Sequence, residues 1–216
     1  MPRTPKHFCR VTATLNAPAL DTHLGDQWML AELLGRPGVV EHGHFRLLSG
    51  AHSECFLRFS RIASDTDALA GVAAALVPTV AVWQAECVLA PCTAGVSLAR
   101  ECARQLGLDL HLASVDATGR ADGIIGRPPR AGSRVLLVND IVTTGVGLEA
   151  LATVARAVRA NNAGAAWFAS RAEVDVEAKL GVPAAWLLSV ELPTTSPETC
   201  AGCAAGEELV DGLDLN

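Results

Sequence analysis

The segment "VLLVNDIVTTGVGL" (residues 135–148) runs from an apolar strand pattern into polar groups and a glycine-rich turn. Hydroxyl and backbone N–H groups just before a helix can bind a phosphate, which also interacts favourably with the helix dipole. Asn139 and Asp140 lie earlier in the segment, where a carboxylate can accept hydrogen bonds from vicinal sugar hydroxyls. This order of groups predicts a site for a phosphorylated ribose.

A purely structural role for the same loop stays open, because Asp and Thr are favoured in turns and helix caps for local reasons. The sequence has no GxxxxGK[ST] motif and no GxGxxG that opens a helix, so neither common nucleotide motif supplies a different phosphate site.

Helical and strand patterns alternate along the chain and must position this loop. The strands are rich in Val, Leu and Ala, which predicts an α/β fold with a mostly parallel central sheet and helices on both faces. In such sheets ligands bind beyond the carboxyl ends of the strands, so "PCTAG" (91–95) and "NDIVTTGVG" should face one crevice. The predicted helices are 25–35, 67–76, 96–107 and 148–164, and the predicted strands are 44–50, 53–64, 86–90, 108–115, 134–140, 165–171 and 183–192.

The composition limits the possible partners. A chain of 216 residues that is 50% hydrophobic can bury one main core. Its net charge of −6 and the lack of a basic cluster exclude a typical nucleic-acid surface. The N-terminus does not resemble a secretory signal, and the longest apolar run, 71–83, is short and contains Pro78. We therefore expect a cytoplasmic protein with no membrane partner.

The seven cysteines are scattered and predict buried thiols rather than a disulfide framework. Cys200 and Cys203 have the spacing of half a metal site, but no second CxxC and no HxxxH accompanies them. We therefore expect a tail turn with two free thiols and assign no metal ligands. The histidines at 42, 44 and 52 are expected to be surface residues or part of a small N-terminal subdomain.

Four segments, taken in order, resemble the type I phosphoribosyltransferases, and most closely the bacterial orotate phosphoribosyltransferases. Residues 43–57 resemble their N-terminal hood, 89–102 their pyrophosphate loop, 135–148 their donor-binding loop, and 197–210 the cysteine-containing tail of one bacterial branch. The resemblance implies transfer of ribose 5-phosphate from phosphoribosyl pyrophosphate to a carboxylated nitrogen heterocycle, with Mg²⁺ bound to the donor. It also divides the chain into a hood (1–64), a core (65–195) and a tail (196–216).

The resemblance implies roles for particular residues. Asp140 and Arg120 would be catalytic, and Phe56 and Arg171 would bind the acceptor. Arg171 could instead be a solvated strand end that pairs with Glu173 or Asp175. The residues expected to bind the donor are Thr93, Ala94 and Gly95 in the pyrophosphate loop and Asn139, Thr143, Thr144, Gly145, Val146 and Gly147 in the donor loop.

The sequence departs from the family pattern in the mobile loop, the donor loop and the pyrophosphate loop. The segment 114–130 corresponds to a mobile basic loop, yet Ser114 and Val115 stand where basic residues are usual, and the first basic residue is Arg120, with Arg127 and Arg130 further on beside the prolines. Asn139 stands where an acid is usual. Val146 and Gly147 replace the usual end of the phosphate turn, and Ala94 replaces a glycine.

Two functions follow from the match and its departures. The first is an active phosphoribosyltransferase of the orotate type. The second is a catalytically impaired member that binds the donor or regulates a partner, because the family's mobile loops reach into a neighbouring subunit. A homodimer or a heterodimer with a family member is therefore expected. A phosphohydrolase on a similar sheet would need a nucleophile or metal cluster that the sequence pattern does not indicate.

Overall fold

The computed structural model describes residues 13–15, 24–47, 49–116, 120–171 and 174–212. The strands are β1 (Ala13–Leu15), β2 (Val40–Arg46), β3 (His52–Leu57), β4 (Cys87–Pro91), β5 (Asp109–Val115), β6 (Ala121–Ile125), β7 (Arg134–Val142), β8 (Asn161–Ser170), β9 (Ala184–Val190) and β10 (Val210–Asp211). The helices are α1 (Leu24–Gly35), α2 (Phe59–Ala63), α3 (Thr66–Ala81), α4 (Val96–Leu106), α5 (Val146–Ala157), α6 (Val176–Leu180) and α7 (Ala201–Ala204).

A seven-stranded sheet in the order β1-β9-β8-β7-β4-β5-β6 forms the centre of the molecule. The five inner strands pair in parallel, and β1 and β6 are antiparallel strands at the two edges. Helices α3 and α4 bury residues in one core cluster and α5 in a second one. The predicted α/β fold with a mostly parallel sheet is confirmed.

A second sheet in the order β10-β2-β3 forms the hood. Its strand β3 buries Cys55 and Leu57 in the same core cluster as Leu30 and Leu33 of α1. Its outer strand, β10, comes from the C-terminal tail and pairs in parallel with β2. Residues from the two ends of the chain therefore build the hood together.

The strand predicted at 44–50 was misplaced, since β2 covers Val40–Arg46, and four other predicted boundaries were wrong. Residues 59–63 form α2 rather than strand, since Phe59 and Ile62, three residues apart, are both buried on one helix face. Helix α3 continues through Pro78, because Val80 extends its buried face. Helix α5 ends early: Arg159 has a φ of 62° and β8 begins at Asn161.

The fourth boundary lies in the segment predicted as a long loop, where β6 pairs with β5 as an antiparallel hairpin. No helix within the described ranges is both long and apolar enough to cross a membrane. Of the cysteines in those ranges, Cys87, Cys102 and Cys200 are buried thiols as expected. Cys55, in contrast, is disulfide-bonded.

Candidate functional site

The donor loop connects β7 to α5 at the carboxyl edge of the central sheet. Gly145 has a φ of 82°, and a Cβ there would lie 3.1 Å from the Val174 side chain, so the turn favours glycine. Thr144 and Gly147 are exposed, and an added Cβ at Gly147 would meet open space. The N-terminal turn of the twelve-residue helix α5 is thus open to an anion.

The end of β7 supplies side-chain oxygens that can accept hydrogen bonds from a ligand. Asp140 is 9% exposed, and the half-buried Asn139 directs its amide toward the Ile141 carbonyl at 3.4 Å. At the other side of the turn, Lys179 Nζ donates to the Thr144 carbonyl at 3.0 Å and lies 3.2 Å from Glu149. Sequence reasoning missed this lysine, since its proximity depends on the packing of α6.

The pyrophosphate loop packs directly against the donor loop. A Cβ added at Gly95 would lie 2.8 Å from Asn139 Oδ1 and 3.1 Å from the backbone nitrogen of Asp140. Only glycine allows this approach without a shift of the neighbouring backbone. Ala94 is buried and its φ is not positive, so the alanine causes no left-handed strain. Thr93 accepts from the Val96 N–H at 3.0 Å and so begins helix α4.

Arg171 follows β8, and its backbone N–H donates to the Val142 carbonyl at 2.8 Å, which places it beside the donor loop. The side chain is buried, with 7% exposed, and Nη2 donates to Ser53 Oγ at 3.2 Å and to the Cys55 carbonyl at 3.4 Å. Among the residues that the structure describes, none is a hydrogen-bond partner of its Nε. Burial lowers its pKa to about 10, so the guanidinium stays charged at neutral pH.

The sequence left open that Arg171 is exposed to solvent at the end of a strand. That alternative is wrong, because the side chain is buried. Asp175 accepts from the Ala178 N–H and begins α6, while Glu173 lies outside the described residues. No ion pair with Arg171 occurs in the described part of the chain. A buried cation whose contacts are all neutral is a suitable partner for a ligand carboxylate.

The hairpin of β5 and β6 carries the segment expected to stabilise the leaving group. Ser114 Oγ donates to Asp122 at 2.7 Å, across the hairpin. Arg120 lies exposed at the turn, where its backbone N–H donates to the Asp116 carboxylate at 3.1 Å. The end of the hairpin next to its turn thus carries a hydroxyl and an acid, where the resemblance led us to expect cations.

Phe56 lies in β3 between Cys55 and Leu57, whose side chains enter the main core. It packs instead with Phe45 and Leu47 in a separate hood cluster, with ring centroids of the two phenylalanines 5.6 Å apart. Because side chains alternate along a strand, Phe56 faces away from the side on which Ser53 meets Arg171. The hood groups that the sequence missed are Ser53 and the Cys55 carbonyl.

The four site segments lie along the sheet edge in the order of the strands that carry them. Arg171 follows β8, the donor loop follows β7, the pyrophosphate loop follows β4, and the hairpin continues β5. The pyrophosphate loop and the donor loop therefore lie side by side at one edge of the sheet, where Gly95 approaches Asn139 and Asp140.

No protein-family model matches the chain. Individual relatives do: the orotate phosphoribosyltransferase of Sphingopyxis alaskensis is 34% identical over 193 residues, covering 86% of this chain and 94% of that protein. The orotate phosphoribosyltransferase of Thermus thermophilus is 34% identical over 182 residues, covering 82% of this chain and 96% of that protein.

Solved structures give the same result. The orotate phosphoribosyltransferase of Mycobacterium tuberculosis is 26% identical with a TM-score of 0.60, and the match covers 74% of this chain and 94% of that one. An adenine phosphoribosyltransferase from Thermoanaerobacter pseudethanolicus shares the fold at 17% identity, with a TM-score of 0.55, covering 62% of this chain and 88% of that one.

The fold and the order of the loops define a type I phosphoribosyltransferase, a glycosyltransferase that uses phosphoribosyl pyrophosphate. Within that class the chain belongs to the orotate phosphoribosyltransferase family.

Proposed function

We propose that this chain transfers ribose 5-phosphate from phosphoribosyl pyrophosphate to a carboxylated nitrogen heterocycle, with orotate as the first candidate, and releases pyrophosphate. The observation that carries the proposal is Arg171, a buried guanidinium with an unpartnered Nε beside the donor loop. A planar carboxylate can accept two hydrogen bonds from such a group and neutralise its charge. A neutral heterocycle would leave that buried charge unpaired, which costs free energy.

The donor would be bound by the donor loop, which follows β7, and by the pyrophosphate loop, which follows the neighbouring strand β4. Its 5-phosphate fits the open first turn of α5, with the Thr143 and Thr144 hydroxyls and the N–H groups up to Gly147 as donors. Asp140 would accept hydrogen bonds from the ribose hydroxyls. The Thr93–Gly95 loop would hold the pyrophosphate, because Gly95 contacts the end of β7 where the ribose begins.

Mg²⁺ would be bound together with the donor. This ion keeps several waters and commonly uses one or two protein carboxylates plus substrate phosphates. Asp140 provides one carboxylate at the required edge of the sheet, and Asn139 provides a neutral oxygen in place of a second one. The bound ion would neutralise charge on the departing pyrophosphate.

A specific observation favours a second candidate, a donor-binding or regulatory subunit with impaired catalysis. As the bond at C1 of the ribose breaks, negative charge develops on pyrophosphate and requires stabilisation. The hydrogen bond from Ser114 to Asp122 places a carboxylate near the strand end where a cation is usual. A neighbouring subunit, in a homodimer or a heterodimer, could supply the missing cations.

Calorimetry separates binding from chemistry. Phosphoribosyl pyrophosphate with Mg²⁺ should bind to the purified protein, and orotate should bind to the complex with a non-reactive donor analogue. Turnover is then followed by the loss of orotate absorbance with the donor. Binding of both ligands without turnover would support the second candidate, and no binding of the donor would contradict both.

A further inference from the structure

Two histidines of the hood and two cysteines of the tail meet at one point outside the transfer site. His44 lies in β2, His52 begins β3, Cys200 directly precedes α7 and Cys203 lies within it. Their imidazole nitrogens and thiol sulfurs all lie within 4.8 Å of one another. His44, His52 and Cys200 are buried, while Cys203 is exposed. The histidines are hood residues, as one expectation had it, but they do not lie at the surface.

Most of the distances measured within this cluster are within about 0.3 Å of those in a tetrahedral ligand set. His44 Nε2 lies 3.0 Å from His52 Nδ1, 3.3 Å from Cys200 Sγ and 3.6 Å from Cys203 Sγ. Cys203 Sγ lies 3.3 Å from His52 Nδ1. Zn–N bonds of about 2.0–2.1 Å and Zn–S bonds of about 2.3 Å give neighbouring ligand atoms that are roughly 3.3–3.8 Å apart in a tetrahedron.

The contacts of His44 fix which nitrogen of its ring carries the proton. His44 Nδ1 lies 3.2 Å from the Glu207 carbonyl oxygen, which can only accept a hydrogen bond. In the neutral ring the proton is therefore on Nδ1, and Nε2 directs its lone pair toward both sulfurs and His52. Such a carbonyl partner is typical of metal-bound histidine, because it sets the tautomer and the orientation of the ring.

The tail backbone is shaped for close contact with the same ring. A Cβ at Gly202 would lie 2.8 Å from His44 Cγ, so this close approach requires glycine at position 202. His52 and Thr195 exchange two backbone hydrogen bonds of 2.8 Å, which hold the incoming tail against β3. The backbone pairing of His52 with Thr195 thus holds the tail against the hood without using the imidazole or thiol groups of the cluster.

We propose that His44, His52, Cys200 and Cys203 bind one structural Zn²⁺ ion that fastens the C-terminal tail to the hood. Two thiolates and two neutral imidazoles complete a closed tetrahedral site and balance the charge of the ion. The same ligands without an ion would place two thiols and two imidazole lone pairs in a mostly buried space. A closed site has no open position for substrate, so its role is structural.

Elemental analysis of the full chain, purified without affinity metals, tests the proposal. The expected result is one zinc per chain in the wild type. It should be retained in His42→Asn, a matched control on the exposed position of the same strand, and lost in His44→Asn. Cys203→Ser changes an exposed ligand with little packing and should weaken zinc binding even if His44→Asn fails to fold.

Replacement of the ion by Co²⁺ gives an independent readout. Wild type and His42→Asn should show the intense visible bands of tetrahedral cobalt with a thiolate charge-transfer band, which Cys203→Ser should diminish. Zinc content that is equal in all variants, or a metal-free wild type with a Cys200–Cys203 disulfide and no tetrahedral cobalt spectrum, would overturn the proposal.

Discussion

At the scale of single residues, Arg171 separates acceptor binding from donor binding. Replacing it with alanine removes the buried cation and should weaken orotate binding by roughly 2–5 kcal/mol, with donor affinity little changed. Calorimetry with each ligand measures both effects. Arg104 is exposed and lies in the last turn of α4, at the end of the helix away from the pyrophosphate loop. Arg104→Ala therefore removes the same charge outside the site and should change neither affinity. Equal losses for the two ligands in Arg171→Ala would indicate a folding defect instead.

Thr144 tests the phosphate turn at the same scale. The residue is exposed and its side chain adjoins the open first turn of α5, so Thr144→Leu should leave the fold intact. The bulky apolar group would remove a hydroxyl and obstruct the phosphate, and donor binding should fall below detection. The measurement is calorimetry with phosphoribosyl pyrophosphate and Mg²⁺, with circular dichroism as the check on folding. Unchanged affinity would place the 5-phosphate elsewhere.

The parts of the site that are continuous in sequence could be predicted from it. The donor loop, the pyrophosphate loop and Arg171 each follow a recognisable apolar strand, and the common edge follows from parallel pairing. The zinc ligands could not be predicted in this way. Cys200 lies far along the chain from His44, and His44 meets His52 only as a diagonal neighbour across an antiparallel pair that contains a bulge between His42 and Phe45.

At the scale of elements, we expect the β5–β6 hairpin to limit the rate. Ser114 and Val115 cannot donate to pyrophosphate as Arg and Lys can, and one such donor is worth on the order of 3 kcal/mol, or about a hundredfold in rate. The wild type alone should therefore turn over orotate slowly or not at all. Restoring the pair as Ser114→Arg with Val115→Lys should raise the rate, as should a family partner with an intact basic loop.

The control for the hairpin is Asp122→Asn, which removes the acid next to Ser114 without adding a cation. It should raise the rate less than the double variant does. The assay is the loss of orotate absorbance with donor and Mg²⁺. Full activity of the unaided wild type would contradict a deficient hairpin and would make Arg120, or Arg127 beyond it, the replacement cation.

At the scale of the whole molecule, the tail and the hood act on the acceptor side of the site. The hood presents Ser53 and the Cys55 carbonyl to Arg171, and Ser53 Oγ also donates to the Pro193 carbonyl at 2.8 Å, where the chain enters the tail. The donor loops belong to the central sheet, and within the described ranges no hydrogen bond joins them to the tail. Loosening the tail should therefore disturb acceptor binding more than donor binding.

Removal of the proposed zinc ion tests this coupling. At free zinc about a thousandfold above its Kd, binding stabilises the folded state by about 4 kcal/mol, so a strong chelator should lower the Tm by about 10 °C. Below that Tm, the chelated protein should bind orotate more weakly while its affinity for phosphoribosyl pyrophosphate with Mg²⁺ changes little. The chelator must be removed before the donor titration, because it would also bind Mg²⁺. Added zinc should restore both the Tm and orotate affinity in the wild type but not in Cys203→Ser. A lower Tm with unchanged orotate affinity would show that the tail stabilises the fold without positioning Arg171.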